Sequence, residues 1–295
     1  MARRRITDAL KDGKILISDG AWGTFLQTKG LKPGECAELW NLDKPGAVLD
    51  VAKSYIDAGA DMIKTNSIGG SSFKLSHFGL ADRAFEINEA AAAISRKAAG
   101  EDKWVIASIG PTGKLLVTEE ATEQELYDAF KTQAAAFEKG GADAACIETM
   151  SDIGETVLAI KAVKENTRLE AISTYTFEKT VKGEYRTMMG ADPIAAMTAS
   201  IEAGADIVGT NCGSGIGRMI EIVNIMRSVN KDIPILVHAN AGIPCYANGK
   251  TVFPETPEDM AEAAPRLAKA GANIIGGCCG TTPAHIKAIK EALRG

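Results

Sequence analysis

Four stretches of the chain read alike: YIDAGADMIKTN (55–66), FEKGGADAACIE (137–148), IEAGADIVGTN (201–211) and LAKAGANIIGGC (267–278). Each runs from the end of a helix, through a small-Gly-Ala-Asp/Asn turn, into a short apolar strand. The glycine closes the helix and the polar residue starts the strand. An apolar run without alternation is the pattern of a parallel strand covered on both faces. Four more apolar runs lie between these: KILISDG (14–20), WVIASIG (104–110), EAISTYTF (170–177) and PILVHANA (234–241). Helical stretches such as DRAFEINEAAAAISRKAAG (82–100) separate them, rich in alanine and in i, i+4 apolar pairs. Eight strands alternating with eight helices predict an α/β fold, a (β/α)8 TIM barrel spanning 1–295 as a single domain. An open doubly wound sheet would want a glycine-rich phosphate loop after an early strand, and no GxGxxG or GxxxxGK[ST] stands there.

Composition narrows the function classes. The 295 residues carry 33 Lys+Arg against 38 Asp+Glu, a net charge of −5, which argues against nucleic acid as a partner. No apolar run reaches the roughly 20 residues needed to span a bilayer. The opening MARRRITDALKDG is basic only briefly and no apolar signal segment follows, so a cytoplasmic location is expected. Six cysteines in a chain of this size do not make a disulfide scaffold.

Loop lengths are uneven. The helix-to-strand turns are short, whereas the loops after strands one, five and seven are long. The last of them, AGIPCYANGKTVFPETPED (241–259), carries the hairpin signal Asn248-Gly249. Barrel enzymes place their active sites on this strand-to-helix side. Polar and thiol residues recur where the apolar strands stop: Asp19-Gly20, Thr65-Asn66, Ser108, Glu148-Thr149, Asn211-Cys212, Asn240 and Cys278-Cys279. Polar groups at a barrel mouth cost desolvation unless they are paired or used. Cys212, Cys278 and Cys279 fall at the ends of strands six and eight, whose tips can converge. Three thiolates with a fourth position open are the donor set of a catalytic zinc site; the bland alternative is three small buried residues. Cys146 shares strand parity with Glu148 and is expected to pack inside the barrel. Cys36 and Cys245 lie in loops and receive no role. The three histidines share no metal-ligand spacing: His238 is expected to pack or hydrogen-bond within strand seven, and His285 to lie at the surface. For Glu148 the ordinary alternative is a salt bridge to a lysine.

GGCCGTTPAHI (276–286) with GTNCG (209–213) resembles the zinc signature of the homocysteine S-methyltransferase family. DGAWGT (19–24), IKTNS (63–67), SIGPTG (108–113), IETMSD (147–152) and HANAGIP (238–244) match the remaining motifs in order, so the resemblance covers almost the whole chain. Within the family the motifs are most similar to the homocysteine-binding barrel of cobalamin-dependent methionine synthases. The branch using S-methylmethionine usually has Arg after the double cysteine, where this chain has Gly280. The resemblance implies a methyltransferase (EC 2.1.1) that makes methionine from homocysteine. It implies Cys212, Cys278 and Cys279 as Zn2+ ligands and the catalytic centre. It implies Glu148 as acceptor of the substrate ammonium with Asp19 nearby, groups around Gly20, Ala21 and Ser108 facing the substrate carboxylate, and Asn240 at the substrate and metal. No DxHxxG corrinoid motif occurs, so the methylcorrinoid is expected on a separate corrinoid protein. Departures surround the pocket: Gly213-Ser214-Gly215 after the first cysteine, His238-Ala239 before Asn240, and SIGGSS after Asn66. They leave open another acceptor thiol, the demethylating direction, or a sulfonium donor such as S-methylmethionine.

Overall fold

The computed structural model describes residues 4–247 and 250–294. Eight parallel strands form one barrel: β1 (Leu16–Ile17), β2 (Met62–Lys64), β3 (Trp104–Ile109), β4 (Ala144–Met150), β5 (Glu170–Tyr175), β6 (Ile207–Gly215), β7 (Ile235–Asn240) and β8 (Ile274–Gly277). From β2 to β8 each strand pairs with its sequence neighbour, and β8 returns to β1. The outer ring is α1 (Pro45–Asp57), α2 (Ala84–Ala99), α3 (Glu123–Lys139), α4 (Ile153–Asn166), α5 (Pro193–Glu202), α6 (Ile216–Val229), α7 (Pro257–Ala270) and α8 (Pro283–Arg294). The predicted (β/α)8 architecture is the one observed.

The fourfold repeat has a physical reason. Its glycines, Gly59, Gly141, Gly204 and Gly271, sit at φ between +90° and +116° after α1, α3, α5 and α7, a region costly for any residue with a Cβ. The polar residue two positions on then ties one strand to the strand before it. Asp61, Asp143, Asp206 and Asn273 donate their N–H to the carbonyls of Ile17, Val105, Ala171 and Ile235 at 2.7–2.8 Å. Their side-chain oxygens accept the N–H of the same four residues at 2.7–2.9 Å. Each repeat thus pairs β1 with β2, β3 with β4, β5 with β6 and β7 with β8 at the N-terminal end. Between β1 and β2 these Asp61 bonds close the ring.

Side chains alternate along a strand, so every second residue points into the barrel. The inward set starts apolar: Leu16, Met62, Ile106, Ala144, Cys146, Ile172, Ile207, Leu236 and Ile274 form one buried cluster, which Ile6 and Ala9 of a short helix (Ile6–Leu10) join. Cys146 packs there as expected. Two residues further along the same phase stand Ser18, Lys64, Ser108, Glu148 and Thr174, all buried. Counting on by the same period reaches Asn211, Asn240 and Cys278. The interior therefore changes from apolar to polar toward the C-terminal strand ends, and the long strand-to-helix loops gather over that polar end. Two of those loops form hairpins, Glu178–Lys179 with Tyr185–Arg186 and Cys245–Ala247 with Lys250–Val252. The second matches the hairpin expectation, although its turn residues Asn248 and Gly249 lie outside the described residues.

Candidate metal centre and substrate cavity

Two strand irregularities aim the chemistry. Between Asn211 and Gly215, β6 runs four residues against two of β7 (His238 to Asn240), and the extra chain carries Cys212. Between Ile147 and Met150, β4 runs three residues against two of β5, and the bulge carries Glu148 and Thr149. Cys212 (φ 59°) and Thr149 (φ 64°) both occupy the left-handed region; for a β-branched threonine this is a real strain, held only where the surroundings over-determine it. Asn211 supplies that hold. Its Oδ1 accepts the Thr149 N–H at 2.8 Å and the Thr174 hydroxyl at 2.7 Å, and its Nδ2 donates to Thr149 Oγ1 at 2.8 Å. Asn211 Nδ2 is also 4.0 Å from Cys278 Sγ.

The third strand end is shaped by glycine. A Cβ on Gly277 would stand 2.3 Å from Thr281 Oγ1. That hydroxyl donates to the Cys278 carbonyl at 2.7 Å. Gly280 turns the chain into α8 at φ +81°, and a Cβ there would meet the Phe253 ring at 2.2 Å. Cys278 N–H donates to Ala239 O at 2.7 Å and Ala241 N–H to Cys279 O at 3.0 Å, locking the double cysteine to β7.

These constraints bring the Sγ atoms of Cys212, Cys278 and Cys279 within 4.8 Å of one another. Cys212 is held well below the usual thiol range: the Cys278 and Cys279 thiols donate toward it, and Gly213 N–H and Asn240 add to the effect. The same contacts push Cys279 up. Asn240 Oδ1 is buried and has no hydrogen-bond partner among the described residues. Three converging soft donors beside an orphaned oxygen fit a metal ion. Among the described residues this is the one cluster of His, Cys, Asp or Glu with ligand atoms so close together.

Beside it opens a cavity of about 340 Å³, lined by Ala21, Trp22, Thr24, Glu38, Lys64, Ser108, Glu148, Cys278 and Cys279 among others. Of the expected substrate residues, Ala21, Ser108 and Glu148 face this cavity. Asp19 is fully buried and is not part of the cavity wall. Its Oδ2 accepts from Trp22 Nε1 at 2.7 Å and Lys64 N at 2.9 Å. Burial pushes the Asp19 carboxyl up to about 6, against the opposing pull of Lys64 and Trp22. Gly20 is pressed against Thr281 and Tyr55. The Ala21 and Ser108 amides are engaged inside the protein, with Thr281 Oγ1 at 3.1 Å and Thr65 Oγ1 at 2.9 Å. Glu148 Oε1 accepts the Ser108 hydroxyl.

Lys64 is the charged cavity residue that the sequence reading passed over. Its Nζ lies 3.5 Å from Glu148 Oε2, with both side chains about 5% exposed or less. The lysine partner for Glu148 therefore exists, and it stands in the cavity wall. Burial pulls the Lys64 ammonium down, but Glu148 and Asp19 more than reverse this and hold it above the usual lysine range. The signal was a single cation at an inward position of an otherwise apolar strand.

Two histidines complete the picture. His238 is fully buried, and neither ring nitrogen has a hydrogen-bond partner among the described residues; burial keeps it neutral. His285 is buried rather than at the surface. Its Nδ1 accepts the Thr282 N–H at 3.1 Å, which leaves the Nε2 proton for the Glu255 carbonyl at 3.1 Å. It thus ties the start of α8 to the loop after β7.

A barrel with three thiols converging beside a charged cavity at its C-terminal mouth presents a three-cysteine metal site of the kind a methyl-accepting thiol chemistry needs. Residues 16–293 match the family model for homocysteine S-methyltransferase. The chain belongs to that family. It is 31% identical over 294 residues to methionine synthase of Mycobacterium tuberculosis, covering 95% of this chain and 25% of that protein. Methionine synthase of Mycobacterium leprae is 30% identical over 297 residues, covering 95% of this chain and 24% of the relative. The chain therefore spans about a quarter of the length of these relatives. The metallated form of the homocysteine methyltransferase MmuM from Escherichia coli shares the fold, with a TM-score of 0.79 at 22% identity, covering 96% of this chain and 98% of that one. No helix among the described residues is long and apolar enough to cross a membrane.

Proposed function

We propose that this chain methylates the thiol of homocysteine to give methionine, with Zn2+ on Cys212, Cys278 and Cys279 and the methyl group delivered by a separate methylcorrinoid protein. The observation that carries the reading is the convergence of three thiols within 4.8 Å beside a cavity holding Glu148 and Lys64. When bound, Zn2+ would supply the Lewis acidity that makes a neutral thiol a thiolate near pH 7. Sulfur donors favour zinc over magnesium or calcium. The protein's own part is positional: the β6 bulge and the close packing at Gly277 and Gly280 hold the three sulfurs together beside the cavity. Glu148 and Asp19, with Lys64 between them, leave one net negative charge when Asp19 is ionised. That balance suits the ammonium of an amino-acid thiol. Asn240, whose side chain donates toward Cys212 and whose Oδ1 is unpartnered, would approach the metal or the incoming substrate.

Two features support a macromolecular donor. Large apolar side chains stand exposed in the strand-to-helix loops, Val181, Met188 and Tyr246 the most exposed of them. Exposed apolar side chains on the side of the barrel where the site opens suit a surface that a partner covers. Gly280 at φ +81°, packed on Phe253, leaves no room for the arginine usual in the S-methylmethionine branch.

The test is methionine formation by zinc-loaded protein and homocysteine, with a methylcorrinoid protein or S-methylmethionine as donor. Turnover with the first alone is expected. Turnover with S-methylmethionine alone would move the chain to the sulfonium-using reading, and none with either would remove homocysteine methylation. Cys212→Ala should abolish the reaction with the fold intact by circular dichroism.

A further inference from the structure

Lys64 has donors to spare. Its ammonium is buried, charged and in the cavity wall, yet its Nζ makes no hydrogen bond among the described residues; its nearest carboxylate oxygen, Glu148 Oε2, is 3.5 Å away. That gap is long for an ion pair, where N⁺–H···O⁻ contacts close to about 2.7–2.9 Å. Elsewhere in this molecule Lys179 reaches Glu221 at 2.6 Å and Lys164 reaches Asp206 at 2.7 Å. A lysine carries three donors, and leaving them unmade in a half-dry site is costly. Two amides that the resemblance implied for the carboxylate are spent: those of Ala21 and Ser108 already donate inside the protein. Glu148 has one oxygen on Ser108 and the other facing Lys64.

We infer that Lys64 is a specificity-determining residue that receives the carboxylate of the acceptor thiol, while Glu148 receives its ammonium. The substrate's zwitterion would then slot into the loose Lys64–Glu148 pair, each protein charge exchanging a distant partner for a close one. This rests on the acceptor reading above. It makes the anionic end of the thiol a requirement rather than an accessory, and it assigns that requirement to a side chain at the inward register of β2. A lysine that served only to hold Glu148 in place would not distinguish thiols by their carboxylate.

The experiment is calorimetric titration of zinc-loaded protein with three thiols: L-homocysteine, 3-aminopropane-1-thiol, which lacks only the carboxylate, and 4-sulfanylbutanoate, which lacks only the ammonium. In the wild type, loss of the carboxylate should weaken binding on the order of 100-fold, the scale of truncating one partner of a buried charged pair. In Lys64→Met that penalty should shrink to a few-fold, because the carboxylate then has no partner to lose. The double variant Lys64→Met, Glu148→Gln removes the pair together, so that no lone buried carboxylate is left at Glu148, and should give the same small ratio if the single variant does not fold. A wild-type ratio near one, or an equally large ratio in the variants, overturns the assignment. If none of the three thiols binds the zinc-loaded wild type, the acceptor reading itself fails and takes the assignment with it. Tight binding of 4-sulfanylbutanoate by the wild type, lost in Lys64→Met, supports it independently of the ammonium.

Discussion

Replacing Asn211 by alanine removes one side chain and should disturb two strands. The amide holds the Thr149 N–H, the Thr149 hydroxyl and the Thr174 hydroxyl at 2.7–2.8 Å. Thr174 is fully buried, so its hydroxyl has no easy route to water. Each buried group left unpaired costs about 1–3 kcal/mol, and Thr149 is half-buried, so the low end applies to its groups; a loss of about 3 kcal/mol follows. One term opposes it. Thr149 sits at φ 64°, and relaxation of that strain would return about 1–3 kcal/mol. Relaxation, however, straightens the bulge that carries Glu148 and frees the bend that carries Cys212. The variant is therefore expected either to lose about 3 kcal/mol with the site intact, or to lose less and bind zinc at least tenfold more weakly. Urea unfolding of metal-free protein and zinc competition with a chromophoric chelator read the two arms. Thr174→Val, which breaks one bond only, should cost about 1 kcal/mol and leave zinc binding alone. An Asn211→Ala protein with unchanged stability and unchanged zinc affinity would falsify the account of how the two bulges are held.

Three further outcomes follow from the same geometry. Asn273→Ala should cost about 1–3 kcal/mol in urea unfolding, because it orphans the buried Ile235 N–H, while zinc stoichiometry stays at that of the wild type. Cys279→Ala should lower zinc affinity by at least 100-fold in chelator competition, since a two-sulfur site loses one of its three protein ligands; an unchanged affinity would exclude Cys279 from the metal. The Asp19 carboxyl, pushed up to about 6 by burial, keeps its proton in the fold at pH values where the unfolded chain has lost it. Its contribution to stability is thus full below about pH 4 and is lost as pH rises to about 6, by about 3 kcal/mol at most. Metal-free wild type should lose stability relative to Asp19→Asn as the pH of urea unfolding goes from 4 to 7, and a flat difference would argue against the raised carboxyl.

The barrel was legible in the chain because its cause is local and repeated. A left-handed glycine ends each of four helices, and an Asp or Asn then caps the preceding strand, so a small-Gly-Ala-Asp/Asn pattern recurs at Asp61, Asp143, Asp206 and Asn273 wherever the chain makes the same turn. The cysteines were legible for a related reason: a period of two counts from Ile274 to Cys278 and from Ile207 to Asn211, the neighbour of Cys212. Nothing local announces the rest. Cys212 reaches the other two sulfurs only because β6 is two residues longer than β7 across one pair of rungs, and a bulge is a relation between strands. Lys64 was passed over in the sequence, and only Glu148 of β4, facing it inside the barrel, singles it out. His285 looked like a surface residue on a helix start, yet its ring is claimed by Thr282 and by a carbonyl from the loop after β7. In each case the deciding partner lies tens of residues away or more, and the free energy of burying a charge or an amide depends on that partner, which short-range pattern does not carry.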